Sequence, residues 1–347
     1  MKRWFDRGRV GIVALALTAL VAAVAIAGCG GGSSSSSSSS SGGEETSGGE
    51  TGGSSTMRVA LVQAATANLP VEVAAKKELF EKHGLEVTIE TPTIPFSQLP
   101  AALGKQFDLV IGTQPDLISA NSSGIDVIAV SGLQKDNPKD PGAALVVPEG
   151  SSIESIKDLS GKSVGAPSIV GNNFSALECW ARKEGVEPSS IRGLEAATPQ
   201  IPELLENGRF ESALLFEPLL KGLEEGGAKD LGNAYEECFG EPNQYTSLWL
   251  AQGSWANENS ATVTKFLEAL EEAKESIAAN PSEARSIYLE TSGLPPEAAK
   301  NTPIIAEEFS FEQGKPIEEN IETWIEVLEE NGTFEGSVEP SALVLPK

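Results

Sequence analysis

Three patterns of apolar and polar positions succeed one another along the chain. Residues 10–27 are almost wholly apolar, residues 30–56 contain only Gly, Ser, Thr and Glu, and from Met57 short apolar runs alternate with amphipathic ones. In that last part, the runs at 58–62, 85–90, 108–111 and 125–130 read as strands. Between them, residues 71–82 put Val71, Ala74, Ala75, Leu79 and Phe80 at helical spacing, with Gly84 as a stop. Segments 97–103 and 115–120 read as short helices. Further strands are expected at 143–147, 163–166, 192–196, 212–216 and 246–251, separated by helical segments at 153–159, 173–184, 199–207 and 218–224. Past 251 the pattern is helical: Val263, Phe266, Leu267, Leu270, Ala273 and Ile277 keep a helical period through 262–279, and helices are expected at 281–290, 295–301 and 317–331. Strands alternating with helices imply parallel β-α-β units.

The start of the chain reads as an export device. Met1 to Arg9 is basic, the apolar run follows, and Ile26, Ala27 and Gly28 precede Cys29. Small residues before a Cys resemble the bacterial lipoprotein signal, which implies cleavage after residue 28 and lipidation of Cys29. The alternative is a transmembrane helix with an incidental Cys, since the run is about long enough to span. Residues 29–56 then form an expected disordered tether, holding the folded part about 30 Å from the membrane.

Composition narrows the field. Residues 57–347 suffice for two α/β domains, and an aromatic content of 6% against 40% apolar residues makes the expected cores aliphatic. The net charge of −25 repels nucleic acid and anionic headgroups, so no nucleic-acid partner is expected. One His, His83, and three Cys without metal-ligand spacing point to no metal and no cofactor.

Four segments carry a family resemblance: PVEVAAKKELFEKHGLEV at 70–87, LGKQFDLVIG at 103–112, IKDLSGKSVG at 156–165 and GRFESALLFEP at 208–218. In this order they resemble the solute-binding proteins of the sulfonate, nitrate, taurine and thiamine-precursor type, over nearly all of 57–331. The resemblance implies a two-lobed α/β periplasmic-binding-protein-like fold of type 2, with two crossing segments and a ligand cleft between the lobes. Lobe one maps to 57–142 and 252–347, and lobe two to 143–251. The implied role is capture of a small organic molecule outside the cytoplasmic membrane for an ABC importer permease, by a monomer without catalysis. Cys179 and Cys238 both fall in lobe two, in an oxidising compartment, and a disulfide is expected; two buried free thiols are the alternative.

Ligands of open α/β sheets sit beyond the carboxyl ends of the strands. That rule selects Gln63, Thr66 and Asn68 in the first strand–helix loop, then Thr113 and Gln114, then Ser168, Gly171, Asn172 and Asn173. Glu217 before Pro218 matches an acidic-Pro feature of the family, and Tyr245 flanks the second crossing, placed to stack on a ligand. Each has a structural alternative. Thr113, Gln114, Asn172 and Asn173 can cap helices, and Glu217 can be a first-turn acid. No Lys or Arg lies in these loops, Lys135 being nearest, which tilts the ligand from nitrate or sulfate toward a neutral, zwitterionic or amine-bearing heterocycle. Two other classes stay open: an enzyme on the same fold, since a thiamine-pyrimidine synthase resembles this family, and a ligand-sensing receptor domain.

Overall fold

Ten strands form two five-stranded sheets. They are β1 (Ser55–Ala60), β2 (Leu85–Glu90), β3 (Leu109–Gly112), β4 (Ile128–Lys135), β5 (Ala144–Val147), β6 (Ser163–Ala166), β7 (Arg192–Glu195), β8 (Ser212–Leu215), β9 (Lys229–Asn233) and β10 (Tyr245–Ala251). The computed structural model describes residues 54–94, 96–240, 244–294, 296–300 and 302–346. The signal segment, Cys29 and most of the tether lie outside the described residues. Ser55 and Thr56, expected in the tether, instead open β1 opposite Leu85 and Glu86. Backbone pairing needs no apolar side chain, so their composition concealed them.

The first sheet has the order β2-β1-β3-β10-β4 and the second β7-β6-β8-β5-β9. In each, one strand runs against its neighbours: β10 is antiparallel to β3 and β4, and β5 is antiparallel to β8 and β9. This is the two-lobed α/β arrangement of periplasmic binding proteins. The lobe boundary expected at Ala251 needs correcting, because residues 248–251 are hydrogen-bonded on both sides within the first sheet, and Tyr245 and Ser247 already pair with β4. The second crossing therefore ends by Ser247, ahead of the part of β10 that is paired on both sides.

β3 is buried at every position, as a strand covered on both faces must be. The helix Ser260–Ala279 covers one face of the first sheet with Val263, Phe266, Leu270 and Ile277, Phe266 stacking on Phe80 and meeting Trp249 edge-on. The helix expected over 71–82 is two, Leu69–Lys76 and Leu79–Lys82, broken where Glu78 takes φ 55°. Lys76 and Lys77 at the break pair with Glu290 and Glu283 of the helix Pro281–Thr291.

The helix Lys315–Glu330 packs on helices of both lobes, Gln114–Ser122 and Asn172–Lys183. Its Trp324 meets Tyr235 and Phe239 edge-on. Cys179 and Cys238 are disulfide-bonded, with Cα atoms 5.5 Å apart, joining Asn172–Lys183 to the helix Ala234–Phe239. Among the described residues no helix is long and apolar enough to cross a membrane.

Candidate functional site

The carboxyl ends of strands from both sheets open on one cleft of ≈ 600 Å³. Residues after β1, β2 and β3 line it from the first lobe, residues after β6, β7 and β8 from the second, and the crossings at Asp140 to Gly142 and Thr246 to Ser247 form the link between the two walls. The crossings are tightly apposed: a Cβ on Gly142 would stand 2.8 Å from Thr246 Cγ2.

Eight of the residues singled out in the sequence line this cleft: Gln63, Thr66 and Thr113 from the first lobe, and Ser168, Gly171, Asn172, Asn173 and Glu217 from the second. Several also do structural work. Thr113 Oγ1 donates to Asp116 Oδ2 at 2.6 Å and closes a capping box at the start of Gln114–Ser122. Burial raises the Asp116 carboxyl to about 6, against the hydrogen bonds from Thr113. Asn172 Nδ2 donates to Thr246 O at 2.7 Å and Asn173 Nδ2 to Gly142 O at 3.0 Å. Tyr235 OH donates in turn to Asn173 Oδ1. The two asparagines that open Asn172–Lys183 thus clasp both crossings.

Three expected residues are absent from the lining. Asn68 is turned back on its own loop, Nδ2 donating to Val62 O at 2.7 Å. Gln114 is fully buried, its Nε2 donating to Tyr245 O at 2.9 Å and to Asn320. Tyr245 OH donates to Glu312, and Lys135 Nζ lies 4.7 Å from its ring centroid. Each amide or hydroxyl found a backbone or carboxylate partner that sequence spacing does not reveal.

The cleft wall is acidic. Asp140, Glu195 and Glu217 line it, and the one lining cation among the described residues, Lys135, pairs with Glu312 at 2.9 Å. Burial raises the Glu217 carboxyl, which accepts from Lys221 N at 3.3 Å. Burial, then repulsion from Glu217 and Asp136, raises Asp140. Gln134 Nε2 reaches Thr66 Oγ1 and Glu308 Oε2, both at 3.1 Å. Among the described residues no group of His, Cys, Asp and Glu is placed to hold a metal ion.

Sequence reasoning missed Asp140, Glu195, Thr198 and Ile94 of the lining, and passed over Gln134. Glu195 ends β7, and Thr198 and Ile94 follow β7 and β2, so the strand-end rule extends to all three. Asp140 lies in the turn-rich run Asp-Asn-Pro-Lys-Asp-Pro-Gly at 136–142, which reads as punctuation.

The family described as NMT1/THI5 like matches residues 65–284. A Haemophilus influenzae protein named for thiamine biosynthesis is 31% identical over 225 residues, 62% of this chain and 67% of its own. The 4-amino-5-hydroxymethyl-2-methylpyrimidine phosphate synthase THI11 of Saccharomyces cerevisiae is 25% identical over 239 residues, 66% of this chain and 68% of its own. Among solved structures, the alkanesulfonate-binding protein SsuA from Xanthomonas axonopodis pv. citri, bound to MOPS, superposes with a TM-score of 0.69. It is 17% identical and the match covers 83% of this chain and 97% of that one.

Proposed function

The chain belongs to the NMT1/THI5-like family, and from that membership we propose that it is an extracytoplasmic solute-binding lipoprotein, anchored through Cys29, that delivers a small organic molecule to an ABC importer. The observation that carries this reading is the cleft itself, walled by strand ends of two lobes and sized for a small molecule. Among the described residues the lining holds hydrogen-bonding groups and no His or Cys. His83, the one His of the sequence, instead sits between Glu268 and Glu272 of Ser260–Ala279. Cys179 and Cys238 are spent on each other. An enzyme on the same fold, of the kind named for the yeast relative, is the alternative reading.

The wall's charge bears on the ligand. A sulfonate would depend on backbone N–H groups at helix N-termini, because Lys135 is already paired. The lining suits a neutral or amine-bearing ligand better. The test is a binding experiment with chemical recovery. Protein loaded with its ligand should release it unchanged, one molecule per chain, as read by mass spectrometry after denaturation. A chemically converted product would overturn the binding role in favour of the enzyme.

A further inference from the structure

The two walls of the cleft and the crossing between them present acceptors without donors. Asp140 is 8% exposed, and among the described residues its carboxylate has no hydrogen-bond partner. Glu217, 9% exposed, accepts a single backbone N–H through one oxygen. Gln134 has its amide nitrogen between two oxygens, Thr66 Oγ1 and Glu308 Oε2, which sets the amide and leaves Oε1 with no protein donor. Glu308 is 3% exposed, and its second oxygen is buried without a partner. Behind these stands Asp136, held by Gly142 N and Asn233 Nδ2.

Buried carboxylates without a counter-charge are costly, and they persist only with a proton or a positive partner. Burial raises both Asp140 and Glu308, with repulsion among Asp136, Asp140 and Glu217 adding to it. The nearby cation cannot relieve them, because Lys135 is engaged with Glu312. Nor do the carboxylates converge on one point as metal ligands would. What fits several separated acceptors is a group carrying both positive charge and several N–H donors.

We propose that these acceptors form a subsite for a protonated amine or amidinium, so that the ligand is an organic cation. Asp140 takes the charge, Glu217 and Gln134 Oε1 accept the remaining N–H bonds, and Glu308 is a positioning residue that holds Gln134 in the accepting orientation. The inference rests on the solute-binding reading and narrows its ligand.

Titration calorimetry on the full chain tests it with three arms of probes. The cationic arm is 4-amino-5-aminomethyl-2-methylpyrimidine, agmatine and putrescine; the neutral arm is the matched 5-hydroxymethyl pyrimidine; the anionic arm is MOPS. The aminomethyl pyrimidine should bind at least tenfold more tightly than its hydroxymethyl partner if it is accommodated, with agmatine or putrescine binding otherwise, and MOPS should not bind. Asp140→Asn should remove the cation's advantage. Glu308→Gln should weaken cationic and neutral probes alike and keep their ratio, a pattern that a loss of charge would not produce. Both variants should melt within a few degrees of the parent. Binding confined to the neutral probe or MOPS, or a charge preference that survives Asp140→Asn, overturns the subsite while leaving a solute-binding protein. Silence in every arm removes the subsite and the solute-binding reading together for these ligand classes.

Discussion

Glu72 shows how a single side chain can set a stability profile. It lies on Leu69–Lys76, is 9% exposed, and has one carboxylate oxygen buried without a partner. Burial raises its carboxyl to about 7, the Thr291 hydroxyl opposing the rise only in part. The folded protein therefore prefers the neutral acid, whereas the unfolded chain ionises near pH 4.5. Its contribution to stability falls as pH rises from about 4.5 to 7, and the full cost is present above 7. Glu72→Gln keeps the shape and removes the charge. It should raise stability by on the order of 1–2 kcal/mol at pH 8 and leave it nearly unchanged at pH 5. Calorimetric melting at the two pH values decides this; an equal gain at both would show that charge is not the cause. Nothing in the sequence distinguishes Glu72 from its exposed neighbours, because its burial is made by Pro281–Thr291, some two hundred positions away. The same holds in the cleft. Thr66 and Ser168 were legible from strand-end placement, whereas Gln114 and Asn68 were not excluded by it, since an amide's partner depends on which backbone the fold brings near.

At the level of elements, periodicity located the segments that bury a face and failed on those that do not. Ser260–Ala279 was legible from its apolar spacing. β9 was not, because Lys229 and Asp230 are exposed on a sheet edge and show no alternation. The short helix that follows it, Ala234–Phe239, carries Cys238 and was also missed. It is held to Asn172–Lys183 by the disulfide and by Lys183, whose Nζ donates to Cys238 O. The bridge spans a sequence separation of 59, and a loop of that size is worth roughly 4 kcal/mol in the chain-entropy account. Cys179→Ser with Cys238→Ser should therefore destabilise the protein by about 2–4 kcal/mol, the smaller value allowing for residual structure in the reduced chain. Alkylation of denatured, unreduced protein should find neither Cys179 nor Cys238 reactive. Labelling of both would contradict the bond.

For the whole molecule, the division into two α/β lobes with two crossings was implied by the family resemblance, while the return of β10 to the first sheet was not, since an apolar strand gives no sign of which sheet it joins. That return places the crossings side by side under the cleft, and the contacts around them suggest how the lobes move. Gln114 holds Tyr245 O from the first lobe, and Asn172 and Asn173 hold Thr246 O and Gly142 O from the second. Asn320 of Lys315–Glu330 joins Gln114 to Gln244, while the end of that helix is fixed to the second lobe by Arg182–Glu330 and by Asn331 Nδ2 on Ser175 O. A helix attached to both lobes and to a crossing must lie near the axis of any rotation between them. The expected motion is a hinge closure about this line, bringing the Thr66 and Gln134 wall toward the Ser168 and Glu217 wall. Closure is a population shift, so only a ligand that bonds both walls can drive it. Small-angle scattering should then show a smaller radius of gyration with ligand than without. Residues 143–244 expressed alone, with their disulfide, should bind at least a hundredfold more weakly than the full chain. An unchanged radius on saturation, or full affinity in the single lobe, would show that one wall suffices and that the lobes do not act as a clamp.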